Sequence, residues 1–86
     1  MSMDINQLKD QDLEKVAGGI TEEEAVERAL KHVGLKKSDV NYVQSHPDWE
    51  HGRHVYEIKF YQGGFEYEFD IDAKSGKILK FEKDWD

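Results

Sequence analysis

From Tyr56 onward the chain alternates apolar and polar positions. Tyr56, Ile58 and Phe60 fall on one side of an extended segment, and Glu57, Lys59 and Tyr61 on the other. After Gly63-Gly64 the alternation resumes with Phe65, Tyr67, Phe69 and Ile71, interleaved with Glu66, Glu68, Asp70 and Asp72. A two-residue Gly-Gly turn pairs Phe60 with Tyr67, Ile58 with Phe69 and Tyr56 with Ile71, so every apolar side chain reaches one face. A second turn is expected in Asp72-Ala73-Lys74-Ser75-Gly76-Lys77, as a type I turn closed by a left-handed glycine bulge. Leu79 and Phe81 are then expected to face inward on a last strand, with Ile78 covering an edge. Val40 to Ser45, carrying Tyr42, is a weaker first strand.

The period changes upstream. Ala25, Val26, Ala29, Leu30 and Val33 recur at helical spacing and form one buried stripe. Thr21-Glu22-Glu23-Glu24 has the form of a capping box, and its three acids suit the positive end of a helix dipole. Lys31 and His32 lie near the other end, and Gly34 fits the position just past it. The spacing predicts a helix over 22–33 and one turn around Lys36 to Asp39. The expected class is α+β: one amphipathic helix packed on a small antiparallel sheet of three to four strands.

Length and charge narrow the picture. Eighty-six residues make one small domain and a tail. With no cysteine there is no disulfide, thiolate metal site or thiol nucleophile. The net charge is −7, of which residues 20–86 carry 10 basic against 15 acidic side chains. Such a chain repels phosphate backbones, so no nucleic-acid partner is expected. No apolar run is long enough for a transmembrane segment, and no basic start precedes an apolar signal core.

Several blocks carry a family resemblance. Ile20-Thr21-Glu22-Glu23-Glu24-Ala25, Ala29 to Leu35, Tyr56-Glu57-Ile58-Lys59-Phe60 and Tyr67 to Leu79 together resemble a PepSY domain spanning residues 20–86. The block ending Asp72-Ala73-Lys74-Ser75-Gly76-Lys77-Ile78-Leu79 is its most specific part. The resemblance implies a non-enzymatic module of the kind found in propeptides of secreted metallopeptidases and in small secreted or cell-envelope proteins. Its implied role is to restrain or modulate an extracellular peptidase. No fixed set of inhibitory residues comes with the family.

Residues 1–19 differ in character. Counting back from the Gly19–Ile20 bond, Leu8 is twelfth, Asp12 eighth, Leu13 seventh and Val16 fourth, with Gly18 and Gly19 adjoining the bond. This resembles the double-glycine (bacteriocin-type) leader read by a peptidase-containing ABC transporter. The resemblance implies a removable leader, flexible or helical, whose apolar positions enter a groove while two residues without Cβ atoms lie in a narrow cleft. Cleavage after Gly19 would follow, with a cytoplasmic precursor and a secreted or envelope product. Read from the residues alone, Gly18-Gly19 after an amphipathic stretch is also an ordinary helix C-cap and linker.

Candidate chemistry is sparse. His46, His51 and His54 lie near Asp48 and Glu50, a donor set suited to zinc or copper, but their spacing matches no closed metal site. A polar hairpin loop over His46–Arg53 accounts for them equally. Asp70, Asp72 and Ser75 suggest a calcium loop, yet the sixth and twelfth positions counted from Asp70 hold Ser75 and Phe81 instead of glycine and glutamate. There is no serine–histidine–acid triad or phosphate loop, so neither catalysis nor a cofactor is expected. Trp49, Glu66 and Glu68 are the candidate partner contacts, with Trp85 continuing the inward face of the last strand. A peptidase-modulating module is thus the leading functional expectation. A secreted bacteriocin-like or signalling product on the same scaffold, or a cytoplasmic protein-binding domain, are the alternatives.

Overall fold

The computed structural model describes residues 18–85. Helix α1 (Glu22–His32) precedes a short 3-10 turn (Lys37–Asp39) and four strands: β1 (Asn41–Glu50), β2 (Arg53–Gln62), β3 (Phe65–Asp72) and β4 (Ile78–Trp85). The strands form one antiparallel meander in the order β1-β2-β3-β4.

The helix starts where its capping box closes. Thr21 Oγ1 accepts from the Glu24 backbone N–H (3.0 Å), and the Thr21 backbone N–H donates to Glu24 Oε1 (2.8 Å). It ends one residue before the expected Val33, which serves as the C-cap. Gly34 follows at φ +72°, donating to the Lys31 carbonyl, while Leu35 donates to that of Leu30. This pair of bonds is a Schellman closure, and the left-handed glycine makes it possible. Ala25, Val26, Ala29 and Leu30 are buried against Tyr56, Ile58, Phe60, Tyr67, Phe69 and Ile71. Two alanines let the helix lie close to the sheet, and it covers chiefly β1 and β2.

The Gly63-Gly64 turn has both residues at positive φ (+61° and +84°), and β2 pairs with β3 in the expected register: Phe60↔Tyr67, Ile58↔Phe69, Tyr56↔Ile71. The following turn also has the expected form. Asp72 Oδ1 accepts from the backbones of Lys74 (2.7 Å) and Ser75 (2.8 Å), and Gly76 sits at φ +79°.

Three expectations change. First, β1 does not stop at Ser45 but runs to Glu50, so His46–Arg53 is not a polar loop. The turn is only His51-Gly52, both at positive φ (54° and 77°). A histidine in the left-handed region gave little warning of it. Pro47 is tolerated because β1 is an edge strand. Second, a register shift between Asp70 and Ile71 places Ile78 opposite Ile71, packed on the core. Leu79 takes the displaced position and is exposed, the reverse of the expected roles. Third, Phe81 and Trp85 do point to the helix side of β4, but Phe81 is 40% and Trp85 77% exposed because α1 lies chiefly over β1 and β2 and meets Phe81 only with the edge of His32.

Candidate functional site

The face of the sheet away from α1 carries most of the chemistry. Alternation brings Glu57 and Lys59 of β2, Glu66, Glu68 and Asp70 of β3, and Lys80, Glu82 and Asp84 of β4 to this side. The pairing His46↔Glu57 adds His46 and Asp48 from β1. Two sub-clusters result.

The first centres on Lys59. Its Nζ lies 3.2 Å from Glu66 Oε2 and 3.3 Å from Glu68 Oε2. Both carboxylates hold the lysine pKa above its ordinary value, Glu66 the more strongly. One cation thus joins two acids. The next strand adds more negative charge: Glu82 lies opposite Glu68 and Asp84 opposite Glu66. Directly opposed like charges weaken strand pairing unless a counter-charge is supplied.

The second cluster lies toward the His51-Gly52 turn. Carboxylate oxygens of Asp48, Glu50 and Glu57 lie within 4.8 Å of one another. Asp48 is held below its usual pKa, first by the Trp49 backbone N–H (2.8 Å) and then by its hydrogen bond with Glu57. Glu57 is pushed up, first by that shared bond and then by burial, against the pull of His46, whose Nε2 is 2.7 Å from Glu57 Oε1. Asp70 is buried (8% exposed) in the adjoining groove of about 170 Å³, which Glu50, Glu57 and Lys80 also line. Burial raises its pKa, and the nearby Glu50 charge adds to the effect. An all-oxygen set of this kind suits a hard cation better than zinc or copper. It equally suits a proton shared between paired acids.

The sequence-derived candidates divide between the two faces. Glu66 and Glu68 come together around Lys59. Trp49 stands on the helix side of β1, stacked on His54 at 4.9 Å and 67% exposed. It is no neighbour of the two glutamates. The three histidines also separate: His46 on the outer face, His54 under Trp49, and His51 in the turn. They form no imidazole site. Asp72 is occupied by its turn amides and by Arg53 (3.6 Å), so the calcium-loop pattern is a hairpin turn. The buried Asp70 and the Asp48–Glu57 pair went unread in the sequence. Continued alternation through His46, Asp48 and Glu50 was the signal that could have found the pair.

Of the leader candidates, Leu8, Asp12, Leu13 and Val16 lie outside the described residues. Gly18 is exposed at φ +70°. Among the described residues, Ile20 is the first tied to the sheet: its N–H donates to the Ala73 carbonyl (2.9 Å) and its carbonyl accepts from the Tyr56 hydroxyl (2.9 Å).

One amphipathic helix laid across one face of a four-stranded meander, with acids on the other face, defines a small α+β module. The chain belongs to the PepSY family, "Peptidase propeptide and YPEB domain", which matches residues 19–82. It is also similar to an uncharacterized protein of Streptococcus pyogenes serotype M6, 36% identical over 61 residues, covering 71% of this chain and 47% of that protein. The chain thus spans about half the length of this curated relative. No solved structure matches it significantly. Among the described residues, no helix is long and apolar enough to cross a membrane.

Proposed function

We propose that this chain is an exported, non-enzymatic PepSY module that binds an extracellular peptidase and modulates it sterically. The observation that carries the reading is the family match over residues 19–82, which takes in the whole helix and nearly the whole sheet. The family points to a propeptide-like or inhibitor-type role. The outer face around Glu66, Glu68, Glu82 and Asp84 is the contact surface in this reading, because its acids suit a basic rim around a partner's cleft. Trp49, on the other face, is a separate candidate contact.

The experiment is a hydrolysis assay with peptidases co-secreted by the producing cell. The chain should slow at least one of them. Glu66→Lys with Glu68→Lys should weaken the effect about tenfold or more, because attraction becomes repulsion at two positions. Unchanged rates at high module concentration would remove the proposal. Trp49→Ala should leave inhibition intact if the outer face makes the contact.

Export rests on residues 1–19 acting as a double-glycine leader for a peptidase-containing ABC transporter. The spacing of Leu8, Asp12, Leu13 and Val16 before Gly18-Gly19 supports this, and Ile20, just past that junction, is already tied to the sheet. Mass spectrometry of the culture medium should find a product starting at Ile20. An intact chain confined to the cells would defeat the export reading while leaving peptidase binding open.

A further inference from the structure

The two edges of the sheet are not equivalent. At β1, Pro47 lacks a backbone donor, and the strand is irregular between Asn41 and Gln44, where Tyr42 adopts φ +55°. Helix α1 also packs against β1, and Ser45 Oγ donates to Glu22 Oε1 at 3.0 Å. At β4 there is no proline, and beyond the bulge the strand pairs regularly with β3 from Lys80 to Trp85. Its helix-side residues extend the core outward: Phe81 stacks on Phe69 at 4.9 Å and meets His32 edge-on at 5.2 Å. Trp85 stacks on Phe65 at 4.2 Å. An exposed, regular strand with aromatic side chains on one face is a template for another strand.

We propose that β4 pairs with β4 of a second copy of this chain, antiparallel, with Phe81 opposite Phe81. The occupant follows from charge. Two-fold antiparallel pairing keeps both helices on the same side, so residues meet only when their numbers have an even sum. Centring the pair on Lys80, Glu82, Lys83 or Asp84 sets like charges directly opposite each other. Centring it on Phe81 does not. Lys80 then meets the partner's Glu82, Glu82 meets the partner's Lys80, and Leu79 lies beside the aliphatic stem of the partner's Lys83. Among registers centred on the regularly paired stretch Lys80–Asp84, the Phe81 register alone avoids like-charge opposition, and centring on Ile78 or Leu79 would put the bulge at the axis. This register also answers the like-charge pair within the chain. Glu82 faces Glu68 across the ladder, and the partner's Lys80 supplies the missing counter-charge. The two Phe69–Phe81 stacks join into one aromatic row across the two-fold axis. The inference is independent of the peptidase reading.

The test is sedimentation equilibrium of the full chain over a wide concentration range at low salt. The wild type should move from one-chain to two-chain mass as concentration rises, and added salt should shift the balance back. Lys80→Glu and Glu82→Lys alone should each weaken association by about tenfold or more, because two attractions become two repulsions. The double variant should recover, and an equimolar mixture of the two single variants should form the mixed dimer. Amide exchange in β4 should slow with concentration. A wild type that stays monomeric, a dimer indifferent to both single reversals, or concentration-independent protection of β4, as residues 1–17 of the same chain would give, each overturns the proposal.

Discussion

The two faces of this sheet obey different rules. On the helix side, Tyr56, Ile58, Phe60, Tyr67, Phe69 and Ile71 are at most 5% exposed, and each contributes by leaving water. On the outer side, Glu57, Lys59, Glu66 and Glu68 are half-buried ions whose worth depends on the neighbours they meet. Burial is roughly additive and needs no particular partner once the register is set. Ionic pairing is neither additive nor indifferent to its partner, since one misplaced charge reverses its sign. The inner face therefore holds the fold, and the outer face is free to carry recognition.

The largest expected effect is on the inner face. Phe60→Ala removes a fully buried ring stacked on Tyr67 (5.3 Å) and should cost about 3–5 kcal/mol in urea unfolding. In a domain this small, that is enough to unfold most of the population. A loss under about 1 kcal/mol would show that the two faces do not differ as argued. Next comes the turn that sets β3 against β4. Gly76→Ala places a Cβ 2.8 Å from the Arg28 guanidinium at φ +79°. Arg28 can swing away, but the backbone strain stays, so thermal melts should show a loss of about 1–3 kcal/mol.

Asp70 probes the place where the faces meet, a charge buried on the ionic side. Its folded pKa is raised, first by burial, so the folded state binds its proton more readily than the unfolded one. Its stabilising contribution is present below the unfolded pKa and lost as pH rises through the folded pKa. Glu57 has the same sign, whereas Asp48 and Asp72 are lowered and lose their contribution as pH falls through their folded pKa values. Stability should thus rise as pH falls from about 7 toward about 4, then decline below the ordinary carboxylate range. Asp70→Asn should gain about 1 kcal/mol at neutral pH and flatten the rise, as read in melts across pH. A destabilised Asp70→Asn protein with an unchanged pH profile would refute the assignment. The smallest effect belongs to Lys59→Met. Removing the cation between Glu66 and Glu68 should lower the melting midpoint slightly at low salt, and less at high salt.

How far the sequence could be read depends on the range of the interactions involved. Helix α1, its capping box, the Gly63-Gly64 hairpin and the β2–β3 register follow from local periodicity and turn chemistry, each contained within a few neighbouring residues. The candidate site was legible only in part. Glu66 and Glu68 share a strand, so their common face was plain, but Trp49 depended on whether His46–Arg53 was a loop or paired strand. A histidine-glycine turn and an edge proline carry weak local signals.

By itself, the order of residues determined one helix, an antiparallel sheet and which side of β2 and β3 would be dry, because side-chain alternation is a property of the extended backbone alone. Only the tertiary structure decided that β1 runs on through Pro47, that Ile78 rather than Leu79 meets the core, that Asp70 is buried beside Glu50 and Glu57, and that Phe81 is left at an open edge. Those outcomes depend on a bulge in β4 and on how far one short helix reaches across four strands. Both are set by packing between segments distant in the chain.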